Sequence, residues 1–230
     1  VIQMLHRGEG DIIAQGLTIT KDRREQLAFT SAIHSTRQVL VQRKPDNWRQ
    51  MSRRKLNKQL VSKTTELGQK EIYVQKNSAY YKRLQNLSEE IGEDIVIKEV
   101  PGNLQTEDLI RLVAEGKIPY TVADENIAQV QKTYYRNIDI STPVSLNQNV
   151  AWAVRKSSPI LQAEISDWLG QVKQRATFNT LYAKYFRSPK SYRQRAESDF
   201  FSKTTAKISE YDHLLKRYAR RINWDWRMLA

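Results

Sequence analysis

The chain has 230 residues, 40% of them apolar and 27% charged, with 38 Lys and Arg against 25 Asp and Glu for a net charge of +13. Such a length and balance suit one large domain or two small ones with a real core. Scarce Gly (8) and Pro (6) exclude fibrous and low-complexity classes, and zero Cys excludes disulfides, thiolate metal sites and a cysteine nucleophile.

In chain order, Asp11-Ile12-Ile13-Ala14 is a short apolar run after Gly8 and Gly10 and predicts a buried strand. The β-branched run from Gln38 to Arg43 predicts a second strand. Residues 71–75, 95–100, 120–123 and 150–155 predict four more, the run at 95–100 being stopped by Pro101-Gly102. Helical patterns lie between them. Ser78 is placed to cap a helix running to about Ile91, with Tyr81, Leu84 and Leu87 on one face. Thr106 is the expected cap of the next, with Glu107 and Asp108 in its first turn and Gly116 at its stop. Ser158-Pro159 opens a third, striped by Leu161, Ile165, Trp168, Leu169 and Val172. Strands alternating with helices imply parallel pairing and an α/β fold. No apolar run reaches the length of a membrane span, and no basic-then-apolar leader opens the chain.

The positive charge is concentrated. Residues 43–63 hold eight basic residues and one acid, and residues 187–230 hold eleven and five. The rest of the chain is balanced, so a neutral body carries two basic appendages, and no nucleic-acid module occurs in the body. Composition shifts at Arg187, and 187–207 reads as a linker. Beyond it Ser209 opens a helix, with Asp212 three residues on, and Asn223 is placed to cap a second helix from Trp224. A helix pair of this size cannot bury itself alone, so 208–230 reads as the opening of a second domain.

Catalytic patterns are missing. His6, His34 and His213 are scattered, and no zinc-protease, nucleophile-elbow, phosphate-loop or dinucleotide motif occurs. The carboxylate pairs Glu89-Glu90 and Glu107-Asp108 lie on polar helix faces and read as solvated. No metal or cofactor is implied. A binding pattern is present instead. Gly16-Leu17-Thr18-Ile19-Thr20-Lys21-Asp22-Arg23 follows the first strand. There Gly16 would leave backbone groups reachable, Thr18 offers a hydroxyl, and Arg23 offers a fork suited to a carboxylate. Thr20 is equally well placed to cap the turn that carries Arg23.

That segment, followed by Phe29-Thr30-Ser31, resembles the signature of the family 3 extracellular solute-binding proteins, the amino-acid receptors of bacterial importers. Further pieces follow in register: Tyr73-Val74-Gln75-Lys76-Asn77-Ser78, then Leu112-Val113-Ala114-Glu115-Gly116-Lys117 leading to Val122-Ala123-Asp124-Glu125, then Trp152-Ala153-Val154-Arg155-Lys156. The tail, with Ser209-Glu210-Tyr211-Asp212, Tyr218-Ala219 and Trp224-Asp225-Trp226-Arg227-Met228-Leu229-Ala230, is similar to the opening of a lysozyme-like lytic transglycosylase domain.

The resemblance implies a periplasmic binding protein type 2-like fold of two lobes over residues 1–186. The first lobe is expected to be partial at its N-terminus and the second to span about 44–148. In that family the ligand's α-carboxylate would lie at Gly16, Thr18 and Arg23 and at the helix N-terminus of Asn77 and Ser78, and its α-ammonium at Asp124. Lys76-Asn77 departs from the residue-Gly pair usual in that loop. The implied partners are an amino acid or muropeptide and peptidoglycan, in the periplasm, with a parent protein anchored at the outer membrane. The catalytic Glu of the tail domain is expected beyond Ala230, so the chain itself is expected to be inactive on glycosidic bonds. The alternative reading is the receptor of an amino-acid importer.

Overall fold

The structure is a computed structural model and describes residues 1–102, 104–184 and 207–229. The chain divides into Val1–Tyr182 and Ala183–Ala230. The larger unit opens with α1 (Ile2–His6), β1 (Ile12–Thr18), α2 (Lys21–Gln26), β2 (Leu27–Phe29), β3 (His34–Thr36) and β4 (Gln38–Arg43). It continues with α3 (Arg53–Gln59), β5 (Glu71–Gln75), α4 (Ala79–Ile91), β6 (Val96–Val100), α5 (Thr106–Ala114), β7 (Tyr120–Asp124) and α6 (Glu125–Tyr134). It closes with β8 (Ile138–Asp139), β9 (Gln148–Arg155), α7 (Pro159–Gln174) and α8 (Ala176–Tyr182).

These elements form an α/β fold of two lobes. In the first, β9 pairs antiparallel with β1, β2 and β3. In the second, five strands run in the order β6-β5-β7-β4-β8. Only β6-β5-β7 is parallel, since β4 runs antiparallel to both β7 and β8. The wholly parallel pairing expected from alternation is therefore corrected. Alternation constrains neighbouring elements, whereas β4 enters its sheet from the other lobe and fixes its own direction.

The run Gln38–Arg43 is buried at all but its last residue. Val39 and Val41 face a core shared with Leu109, Ile110 and Val113 of α5, and Leu40 faces one shared with Leu84 and Leu87 of α4. A strand covered on both sides reads as a continuous apolar run. Because β4 lies in the five-stranded sheet, the second lobe takes up the chain at Gln38 rather than near residue 44.

The crossings between lobes are short. Thr36 and Gln38 end β3 and begin β4, so Arg37 is the first crossing. The return runs through Ser145, whose hydroxyl accepts the Gln38 amide at 2.9 Å, and Gln148, whose side chain meets that of Gln38 at 3.2 Å. Arg37 makes a two-pronged pair with Glu125 at the start of α6.

In the larger unit, helix starts follow capping chemistry with one correction. Ser78 caps α4 by accepting the Tyr81 amide at 3.2 Å, as its sequence position predicts. Thr106 is not a cap but the first residue of its helix. Gln105 takes the cap position, where its amide donates to the Asp108 carboxylate at 3.0 Å. Gly116 has φ +75°, and Lys117 donates back to the Leu112 carbonyl at 2.9 Å, the left-handed stop that glycine permits. The stripe on α7 is less covered than its pattern predicts: Leu169 is buried, whereas Trp168 is half exposed and stacks on Trp152.

In the smaller unit, α9 (Asp212–Arg221) starts at Asp212, not Ser209. The Asp212 carboxylate accepts the amides of Ile208 and Ser209 and so closes the turn before the helix. Asn223 does not cap a second helix. It takes φ +53°, and the Trp224 amide returns to the Ala219 carbonyl at 3.0 Å, which ends α9. A single 3-10 turn, Trp226–Met228, follows and is capped by Asp225. The linker expected at 187–207 lies, but for Lys207, outside the described residues.

Candidate functional site

Arg23 sits in the first turn of α2, which Thr20 caps by accepting the Arg23 amide at 3.3 Å. Residues Thr20 to Arg23 thus aim one side chain. The guanidinium donates from Nη1 to the Thr18 carbonyl at 2.9 Å. That bond leaves other N–H groups of the fork for a ligand. Burial pulls the guanidinium below its usual pKa, against the attraction of Tyr80 and Asp124.

Those two come from the second lobe. Asp124 ends β7 and stands at the cap position of α6, yet its side chain caps nothing. It is only 8% exposed, and its Oδ1 atom is buried without a hydrogen-bond partner. Its amide donates to the Tyr80 hydroxyl at 3.4 Å. Burial pushes the Asp124 carboxyl up to about 6, although a hydrogen bond with Tyr80 and the charge of Arg23 pull it down. Tyr80 is driven upward by burial and by the nearby Asp124 charge, so it stays a neutral hydroxyl that also bonds Thr106. A carboxylate kept dry with one oxygen empty is poised for a cationic group.

Asn77 and Ser78 form the turn between β5 and α4. Asn77 takes φ +58°, the left-handed region that Asn tolerates best among residues with a side chain. Asn therefore does here the conformational work of the expected glycine. Ser78 satisfies the Tyr81 amide through its hydroxyl, and its own amide donates to Gln75 at 3.2 Å. Ion pairing also joins the lobes next to the site, through Asp22 on α2 and Lys82 on α4.

Arg23 and Asp124 are thus brought together, with Asn77 and Ser78 at the head of the helix that supplies Tyr80. Gly16 and Thr18 fall differently. Both lie inside β1, not in a loop after it. A Cβ on Gly16 would stand 2.8 Å from Val150 Cγ1, at an irregularity in the β1–β9 pairing, so this glycine has a packing reason. Thr18 is buried and contributes its carbonyl to Arg23. Sequence reasoning missed Tyr80, Thr106 and the Asp22–Lys82 pair. The available signal for Tyr80 was its place two residues after a helix cap. Among the described residues no cluster of three His, Asp or Glu is arranged for a metal.

The family described as bacterial extracellular solute-binding proteins, family 3, matches residues 1–188. The chain belongs to this family. Its curated relatives include a membrane-bound lytic murein transglycosylase F from Desulfosudis oleivorans, 30% identical over 226 residues, covering 98% of this chain and 47% of that protein. A protein of the same name from Photobacterium profundum is 29% identical, over 98% of this chain and 41% of its own length. The chain spans less than half the length of these relatives. Among solved structures, the substrate binding protein of an amino acid ABC transporter superposes with a TM-score of 0.66 at 20% identity, over 81% of this chain and 75% of that one. A mutant of ArgBP from T. maritima gives 0.64 at 24% identity, over 81% and 73%. The likeness to these structures establishes the two-lobe fold.

Proposed function

We propose that the larger unit closes its two lobes on a small zwitterion, an amino acid or a muropeptide with a free α-carboxylate. The observation that supports this is the meeting of Arg23 from one lobe with the buried, half-unpartnered Asp124 from the other. The Arg23 fork and the first-turn amides of α4 would take the carboxylate. Asp124 would take the ammonium, and Tyr80 would hold Asp124 in place. Gly16 and Thr18 support the cleft from β1.

Near-complete coverage by lytic murein transglycosylase F relatives favours a sensor role in a peptidoglycan-cleaving protein of the periplasm, held at the outer membrane by its parent. In that role the tail opens a lysozyme-like domain, and closure in the larger unit biases it. Linkage limits the effect to the ligand's differential affinity for open and closed states. The likeness to transporter binding proteins favours a second reading, delivery of an amino acid to an importer.

Calorimetry with a panel of amino acids and purified muropeptides tests the binding site. Arg23→Ala should abolish binding, since a carboxylate left unpaired in a closing cleft costs on the order of 2–5 kcal/mol. Equal affinity in wild type and variant would refute the carboxylate clamp. A muropeptide preference would separate the sensor from the importer reading.

A further inference from the structure

The connector between β4 and β5 holds the densest charge in the larger unit. Residues 43–63 carry eight basic residues against Asp46. Within the connector, Arg53, Arg54, Asn57, Lys58 and Lys63 line a concavity of about 700 Å³. Most arginines elsewhere in the second lobe are paired, Arg37 with Glu125, Arg83 with Glu90 and Arg111 with Asp108 and Glu115, and within the connector Arg43 pairs with Asp46. No described carboxylate lies within ion-pair distance of Arg53, Arg54 or Lys58. The one acid on the wall, Glu66, is occupied. Its carboxylate accepts the Ser62 amide at 2.9 Å, a bond that holds its pKa below the usual carboxylate value.

The wall is anchored, not loose. The buried Gln42 side chain reads both backbone groups of Val61, donating to its carbonyl at 2.8 Å and accepting its amide at 2.9 Å. The Thr142 hydroxyl, also buried, donates to the same carbonyl at 2.6 Å. Leu60, Val61 and Leu67 are buried beneath the rim. Three buried hydrogen bonds thus fix Val61, which lies between the end of α3 and Lys63.

This place is distinct from the cleft. Gln38 pairs with Asp124, so the cleft lies at the end of the sheet where β4 begins and β7 stops. The connector joins the far end of β4 to the start of β5, one strand length away, about 17 Å.

We propose that this concavity is a second binding site, for a phosphate-bearing headgroup-sized anion. Arg53 and Arg54 each offer a guanidinium fork to phosphate oxygens, Lys58 and Lys63 supply point charges, and Asn57 supplies a neutral hydrogen-bonding group. The concavity is wide enough for more than a lone ion and lies open to solvent. The phosphate has two possible sources, a free phosphorylated solute or the headgroup of an anionic lipid.

The test uses the full chain with two probes. One is inorganic pyrophosphate, followed by calorimetry. The other is vesicles of phosphatidylglycerol and phosphatidylcholine, followed by co-sedimentation with pure phosphatidylcholine as the blank. The triple variant R53A/R54A/K58A should lose at least about tenfold in affinity for the probe that binds. R53K/R54K keeps the charge but removes the forks and should lose affinity too. Amino-acid binding in the cleft should be unchanged in both variants, and circular dichroism should show both folded. Pyrophosphate binding identifies a soluble ligand, and vesicle binding alone identifies a lipid. Failure of both probes, or wild-type affinity in the triple variant, would overturn the site. Wild-type affinity in R53K/R54K would also overturn it, because diffuse attraction would then suffice.

Discussion

Asp124 should make the unliganded protein less stable at neutral pH than it would be without that charge. Its carboxyl stands at about 6 in the fold, against the ordinary 3.8 expected when unfolded, and burial is the main cause. A shift of about two units corresponds to ~3 kcal/mol at 1.36 kcal/mol per unit. Between the two values the folded state binds more protons than the unfolded one, so stability falls as pH rises. Below the unfolded value the penalty is gone, and above the folded value it is complete. Asp124→Asn keeps the shape and removes the charge. Denaturant unfolding across that pH range should show the variant more stable by about 2–3 kcal/mol above neutrality, with the gap closing on acidification. A ligand ammonium at Oδ1 would favour the ionised form. Wild-type affinity should therefore fall by about tenfold per pH unit below the folded value, and the variant should lose this dependence. Equal stability of the two proteins above neutrality would refute the reasoning, because Asp124 would then carry no desolvation cost.

How much could be read in advance depended on the range of the interactions. The strand Gln38–Arg43 was legible because both its faces are buried, and the Ser78 cap because its hydroxyl acts three residues away. The three-residue strands β2 and β3 were not, since each exists only by pairing with β9, more than a hundred residues on. The antiparallel entry of β4 is likewise a property of the crossing between lobes. In the site, Arg23 stood out as a cation carried on a turn that Thr20 can cap, and Asp124 only through the family resemblance. Its burial was not legible, nor that it occupies the cap position of α6 without capping. Gly16 shows the opposite case. A glycine beside a strand end suggested an exposed backbone, yet its neighbour Val150 lies in β9, more than a hundred residues on.

Gly16→Ala would put a methyl group 2.8 Å from Val150 Cγ1. It should destabilise the fold by about 1–3 kcal/mol, and Val150→Ala should relieve much of that in the double variant, as a thermal melt would show. The last prediction concerns the clamp under the basic connector. Gln42→Ala leaves the buried Val61 amide without a partner, while the carbonyl keeps Thr142. An orphaned buried donor costs about 1–3 kcal/mol, and the lost side chain adds a small cavity. The damage should stay local, because the five-stranded sheet keeps its core through Val39, Leu40 and Val41, all fully buried. Hydrogen exchange should then accelerate in residues 53–66 while β5 and β7 retain their protection. Anion binding at the connector should weaken with it, and amino-acid binding in the cleft should not. Uniform loss of protection across the whole sheet would instead show that Gln42 supports the core itself, and the connector could not then be treated as a separately anchored site.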